Sequence, residues 1–228
     1  MLRYDIIQTL IDYHGYKSFL EIGIHVGNTW KRIKCDRKVG VDNDVKLMDE
    51  GILELTSDSY FDCLGRANKI GCTVTGNTLH ERNKILQPFE IKPMTFDIVF
   101  IDGLHTAEQV HRDFMNAVKF INPGGCIVFH DCNPPTEAHG APEPSVWKTN
   151  KETGEKYFVW CGTVWQFVAG VNLDFTVDSD WGVGVLYPGD TTHLYHDKIS
   201  WETFDEMRDD LLNLISVDEF KERYGVKS

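Results

Sequence analysis

The chain has 228 residues, 42% of them hydrophobic, enough for one sizeable α/β domain with a full core and too few for two comfortable ones. A formal charge of −12 with no Lys/Arg-rich run argues against nucleic acid or an anionic membrane surface as the main partner. No segment approaches the roughly 20 apolar residues of a membrane span, and residues 1–18 lack a signal-peptide pattern.

In chain order, a first helix is expected over residues 3–15, with Ile6, Ile7, Leu10 and Ile11 facing a sheet. The first strand is Phe19 to Gly23, followed by the loop HVGN and a short helix through Trp30 and Ile33. Strand two, Val39 to Val41, ends in Asp42. Leu53 to Phe61 reads as a short strand leaving at Thr56-Ser57-Asp58, then the start of a helix. Residues 63–94 have no clear period and read as an insertion, with GCTVTGN a candidate extra strand.

The stretch FDIVFIDGLHTAEQVHRDFMNAVKFINPGGCIVFHDCN, from Phe96 to Asn133, is the clearest strand–helix–strand unit. Ile98 to Ile101 is a short apolar run suited to a strand buried on both faces. Thr106 and Gln109 have the form of a capping box, and Val110, Phe114, Ala117, Val118 and Ile121 recur at helical spacing. Asn122-Pro123-Gly124-Gly125 stops that helix, and Ile127 to Phe129 forms a second buried strand. A right-handed crossover makes the two strands parallel and brings Asp102 and Asp131 out at the same sheet edge, the edge where open α/β sheets bind ligands.

After Asp131, residues 133–157 are too long for a simple connection and are placed over the ligand edge as a lid or a disordered excursion. Thr163 to Val171 reads as helix and FTVDSDWGVGVLYP as a terminal antiparallel hairpin. Trp201 to Tyr224 reads as one amphipathic helix. The six cysteines show no CxxC spacing, so free thiols in a reducing, cytoplasmic setting are expected.

The turn Glu21-Ile-Gly-Ile-His-Val-Gly27 offers backbone N–H groups to an anion, and Gly23 and Gly27 permit close approach. It misses the dinucleotide pattern GxGxxG, because His25 and Thr29 stand where glycines belong. Asp42, at the tip of strand two, is where an acid grips ribose hydroxyls. Singly, each feature is as well explained by an ordinary turn or helix cap. Together with the Asp102 and Asp131 exits they favour a nucleoside-type ligand. Asp113, in mid-helix, is assigned to a solvated face, and Trp147, Trp160 and Trp165 to packing.

FLEIGIHVGNTW, KVGVDND, TSDSYF, FDIVFIDGLH, INPGG, FHDCNPP, WCGTVW and DSDWGVGVLYP, in this order over roughly residues 17–188, resemble class I S-adenosylmethionine-dependent methyltransferases. The resemblance is strongest to the bacterial branch related to macrocin-type sugar O-methyltransferases. It implies a Rossmann-like three-layer αβα sandwich in one domain over residues 1–228, with a mostly parallel seven-stranded sheet whose last strand is antiparallel. It further implies that Glu21, Gly23 and Gly27 flank the methionine end of the cofactor, Asp42 holds the ribose, and Ser57 and Asp58 face the adenine. Asp102 and the pair His130-Asp131 match positions that in sugar-modifying relatives resemble divalent-metal ligands. His130 stands where an acid is common, which leaves Asp102, Asp131 and Asn133 as candidate ligands for Mg²⁺.

Methyl transfer to a hydroxyl needs alignment and removal of a proton. A metal on Asp102 and Asp131 that binds two vicinal hydroxyls and lowers the pKa of one is the preferred route; direct proton removal by His105 or His130 is the alternative. The expected reaction is O-methylation of a small hydroxylated acceptor, with a sugar or glycan intermediate implied by the resemblance alone. A nicotinamide-dependent oxidoreductase and a non-catalytic cofactor-binding module are the alternatives. The helical ends are a candidate homo-oligomer contact, although an amphipathic face docking on its own sheet is the commoner outcome.

Overall fold

All five residues of Ser18–Ile22 (β1) are buried, as in a strand covered on both faces. The computed structural model describes residues 1–47, 49–79, 86–151, 153–189 and 199–226. Around β1 it builds helix α1 (Arg3–His14), strands β2 (Arg37–Asp42) and β3 (Ile52–Glu54), and helix α2 (Ser57–Ile70). A hairpin follows, β4 (Val74–Leu79) with β5 (Leu86–Ile91), then β6 (Phe96–Ile101), α3 (Ala107–Ala117) and β7 (Ile121–Phe129). The remainder is β8 (Trp147–Thr149), β9 (Lys156–Phe158), α4 (Val164–Val168), β10 (Phe175–Val177), β11 (Val183–Leu186), α5 (Trp201–Leu211), β12 (Leu214–Ile215) and α6 (Val217–Arg223).

The main sheet has the order β12-β10-β11-β7-β6-β1-β2-β3. Its pairings are parallel except that β11 runs antiparallel to both β10 and β7. Alternate residues feed two cores, which makes three layers. Leu20, Ile22, Val99, Ile101, Ile127 and Phe129 pack with side chains of α2, α3 and α5. Phe19, Ile98, Phe100 and Val128 pack with Ile6, Ile7 and Leu10 of α1 and Phe220 of α6. The expected Rossmann-like αβα architecture is present, and the two residues of β12 add an eighth strand to the seven expected.

Several local expectations change. Residues 28–33 form turns rather than a helix; the i to i−4 bonds Lys31 N–H to Gly27 and Ile33 N–H to Thr29 are too few to nucleate one. Residues 63–70 of the expected insertion are the second half of α2, and Val74–Leu79 pairs only with Leu86–Ile91 in a separate two-stranded sheet. Residues 80–85 of that segment, and residue 152 of the 133–157 loop, lie outside the described residues. That loop carries the short β8–β9 hairpin. The tail is two helices, because Asn213 adopts a left-handed φ of 49°, Leu214–Ile215 pairs with β10, and Ser216 with Glu219 forms a capping box that starts α6. Among the described residues no helix is long and apolar enough to cross a membrane.

Candidate active site

Strand order reverses between β1 and β6, and a crevice opens beyond their carboxyl ends, as the geometry of doubly wound sheets requires. Gly23 ends β1 at φ 91°, and a Cβ there would lie 2.0 Å from the Asp102 carbonyl oxygen. Only glycine lets the two strand exits approach this closely. The cavity of about 900 Å³ is walled by Glu21, Gly23, Asp42, Ser57, Asp58, Asp102, His105, Asp113, His130 and Asp131, and also by Arg3, Tyr157, Trp160 and Trp181. This volume suits a nucleoside-sized molecule and an acceptor together.

Glu21 is 1% exposed and its Oε2 has no hydrogen-bond partner. Burial, reinforced by the nearby Asp102 charge, pushes its pKa well above the ordinary carboxylate value. Gly27 has φ 75° and would place a Cβ 2.3 Å from Leu47 Cδ2, so its bareness serves the packing of the loop rather than the cavity.

The first turn differs from its expected role as an open anion site. Asp42 Oδ2 accepts hydrogen bonds from the N–H groups of Ile24 and His25, both at 2.8 Å, and Oδ1 accepts from Asp44 N–H at 2.8 Å. Strand two therefore delivers a carboxylate into the N–H groups that strand one exposes. The turn is not a helix N-terminus, and its N–H groups at Ile24 and His25 are already engaged. Asp42 still lines the cavity.

On the opposite wall, Thr56 caps α2 through Ser59 N–H, which sets Ser57 and Asp58 in the first helical turn. Asp58 is half-exposed and lies 3.6 Å from Arg112 Nε. Ser57 Oγ accepts from Gln109 Nε2 at 3.1 Å, and the same amide donates to Asp113 Oδ1 at 3.0 Å. Thr106 accepts from Gln109 N–H at 3.3 Å, but the Gln109 side chain turns to Ser57 and Asp113. Asp113 is 1% exposed rather than solvated, and burial pushes its pKa up to about 6.

At the strand exits four groups converge. His105 Nδ1 lies 3.2 Å from Asp131 Oδ2 and 3.3 Å from the Trp160 carbonyl oxygen, while its Nε2 lies 3.7 Å from Asp102 Oδ1. Two acceptors at Nδ1 require the proton there, which leaves the Nε2 lone pair as the basic position. The ring stacks on Trp160 at 5.3 Å, so this indole packs against the candidate base. His105 owes its place to its neighbours. Thr163 N–H donates to the His105 carbonyl at 2.9 Å, and a Cβ on Gly162 (φ 64°) would lie 1.9 Å from that oxygen.

His130 is buried beneath this group. Its Nδ1 is 3.1 Å from Asp102 Oδ1 and 3.2 Å from Asp131 Oδ2, with neither oxygen well aligned to the N–H. Its Nε2 is 2.9 Å from Arg3 Nη1 and 3.6 Å from Asp180 Oδ2. Desolvation alone would lower the imidazole pKa, but Asp131 and Asp102 reverse this and raise it well above the usual value. Burial likewise opposes ionisation of Asp102, yet His130 and Arg3 hold its pKa below the ordinary range. His130 thus bridges carboxylates, which suits holding them better than proton transfer with an acceptor.

Asn133 does not join Asp102 and Asp131, contrary to the expected metal set. Asp131 has φ 59°, and the chain then turns toward β11: Asn133 Nδ2 donates to Asp178 at 3.0 Å and Oδ1 accepts from Arg208 at 2.8 Å. His105 stands in its place, for donor atoms of Asp102, His105 and Asp131 lie within 4.8 Å of one another. Sequence reasoning missed Arg3 and Asp180 altogether, since no local pattern marks either. It also misplaced Asp113, although positions 109, 110, 113, 114 and 117 share the buried face of α3.

Comparison with known proteins adds a family match: residues 20–132 fit the family model described as a methyltransferase domain. No curated protein sequence matches the chain. Among solved structures, the mycinamycin-pathway methyltransferase MycE, in complex with Mg, SAH and mycinamycin VI, aligns at 20% identity and TM-score 0.35 over 53% of this chain and 31% of its own. In a second crystal form of that protein the alignment covers 91% of this chain and 54% of its own, so the chain spans about half of that protein's length. Streptomyces venezuelae DesVI aligns at 13% identity and TM-score 0.41, covering 82% of this chain and 92% of its own. CcbJ from Streptomyces caelestis aligns at 12% identity and TM-score 0.37, covering 81% and 95%.

Proposed function

We propose that the chain, whose residues 20–132 fit the model of a methyltransferase domain, is an O-methyltransferase that transfers the methyl of S-adenosylmethionine to a hydroxyl of a small polar acceptor. The observation that carries this reading is the position of the His105–Asp131 pair, with Nδ1 to Oδ2 at 3.2 Å, on the wall of the cavity that Glu21, Gly23 and Asp42 also line. A sugar or glycan intermediate is the favoured acceptor, by sequence resemblance.

The cavity fits the cofactor. Glu21 Oε2, buried without a hydrogen-bond partner, offers an unused hydrogen-bonding atom, and the acidic lining favours a molecule with a cationic sulfur. When bound, the cofactor supplies an electrophilic methyl group on a sulfonium. The acceptor hydroxyl loses its proton to His105 Nε2. Asp131 and the Trp160 carbonyl keep the Nδ1 proton in place, and Asp102, 3.7 Å from Nε2, stabilises the imidazolium that forms. Ser57 and Asp58, with Gln109 and Asp113 behind them, form the wall suited to a nucleobase.

Magnesium fits these donors poorly. It prefers oxygen ligands, whereas the converging set contains the His105 imidazole, and the guanidinium of Arg3 already lies 3.6 Å from Asp102 Oδ2.

Calorimetric titration with S-adenosylhomocysteine, with NAD as control, tests the reading. Saturable binding of the former and none of NAD is expected. Binding of NAD alone would replace the proposal with a nicotinamide enzyme. Turnover of nucleotide sugars with S-adenosylmethionine then tests the acceptor class.

A further inference from the structure

Three carboxylates, those of Asp102, Asp131 and Asp180, gather around His130 with side chains only 14%, 6% and 12% exposed. Three buried anions held this close need fixed positive charge. The central imidazole of His130 is titratable; Arg3, with its Nη1 2.9 Å from His130 Nε2, supplies the permanent charge from the first turn of α1. Its Nη1 lies 3.2 Å from Asp180 Oδ2, its Nε lies 3.6 Å from Asp102 Oδ2 and 3.3 Å from Thr29 Oγ1, and its backbone N–H donates to Asp180 Oδ2 at 2.9 Å.

We propose that Arg3 is the resident cation of this acidic cluster, a positioning residue that occupies the electrostatic role of a divalent ion and makes the site metal-independent. The helix that carries it is anchored, since Ile6, Ile7 and Leu10 are fully buried under the sheet. That packing fixes the Arg3 backbone at the edge of the cluster, and the side chain is held there by its contacts with Asp180, Asp102 and Thr29. An ion coordinated by Asp102 at about 2.1 Å would sit within about 6 Å of the guanidinium, so each cation repels the other in a poorly solvated pocket. Arg3 also lines the cavity, which places its charge beside the ligand space as well as against the carboxylates. The inference concerns the charge of the cluster, and it stands or falls apart from the identity of the acceptor.

Titration with Mn²⁺, followed by the loss of the free-ion paramagnetic resonance signal, tests it on the intact protein. The wild type is expected to bind no tighter than about 1 mM, and Arg3→Ala about tenfold tighter or more, a gain that Asp102→Asn removes. Arg3→Lys is expected to resemble the wild type, which a merely structural role for the arginine shape would not produce. Submillimolar binding to the wild type that Asp102→Asn abolishes would overturn the proposal. So would a folded Arg3→Ala whose Mn²⁺ affinity is unchanged. Arg3→Gln replaces Arg3→Ala if the alanine variant does not fold, and the wild-type titration with its Asp102→Asn control decides the first point without either. S-adenosylhomocysteine binding measured on the same samples separates this result from the fate of the methyltransferase reading.

Discussion

The carboxylate of Asp42 closes on the backbone N–H of Ile24 at 2.8 Å, so the turn that follows β1 carries its own anion. The same carboxylate is the group proposed to hold ribose hydroxyls, and it shapes the loop while it does so. Asp42→Ala is therefore expected to weaken S-adenosylhomocysteine binding by about 1.5–3 kcal/mol, the range for a hydrogen bond to a charged group. Calorimetry reads this directly, and unchanged affinity would remove Asp42 from the cofactor site.

His105 is expected to matter for turnover and little for cofactor affinity. Loss of a general base typically costs about 10²–10⁴-fold in rate. His105→Gln should show a fall of that order with S-adenosylhomocysteine binding within about twofold of wild type. Equal losses in both would make His105 a structural residue of the loop.

Gly162→Ala should mimic part of that defect from a position outside the crevice. The new methyl would collide with the His105 carbonyl, and φ 64° adds strain of about 1–3 kcal/mol for a residue with a Cβ. A lower melting temperature together with reduced turnover and retained cofactor binding is expected; wild-type turnover would show that the His105 backbone position is not needed.

Asp113 gives a pH signature. Its folded pKa of about 6 lies above the ordinary 3.8, so the folded state binds a proton that the unfolded chain has already released. Stability attached to this group is complete below about pH 4, falls as pH rises toward 6, and is fully lost above it, at most about 3 kcal/mol. Asp113→Asn should thus be more stable than wild type at pH 8 and lose that advantage by pH 4. Thermal melts at the two pH values check it, and an advantage that does not change with pH would contradict the assignment.

The unit from Phe96 to Phe129 was legible in the sequence because its information is local. Apolar runs and a capping threonine each act within a few residues, whereas Asn122-Pro123-Gly124-Gly125, expected to stop the helix, lies inside β7, the helix having already ended at Ala117. The parallel crossover then brings Asp102 and Asp131 to one edge without further knowledge. Arg3 and Asp180 are 177 residues apart, and only the docking of α1 beside the β10–β11 turn joins them, so no window along the chain could reveal the pair. Asn133 failed as a ligand for a backbone reason: the left-handed Asp131 directs the next residues toward β11. The single tail helix failed because Leu214–Ile215 found an open sheet edge, a tertiary opportunity that outweighs helical periodicity.

His105 takes its hold from the segment Trp160 to Thr163 rather than from the helix it precedes. The order of the imidazole is therefore a tertiary property: a change at Gly162 or Thr163, in a segment with no acid–base group of its own, reaches the candidate base through the His105 carbonyl.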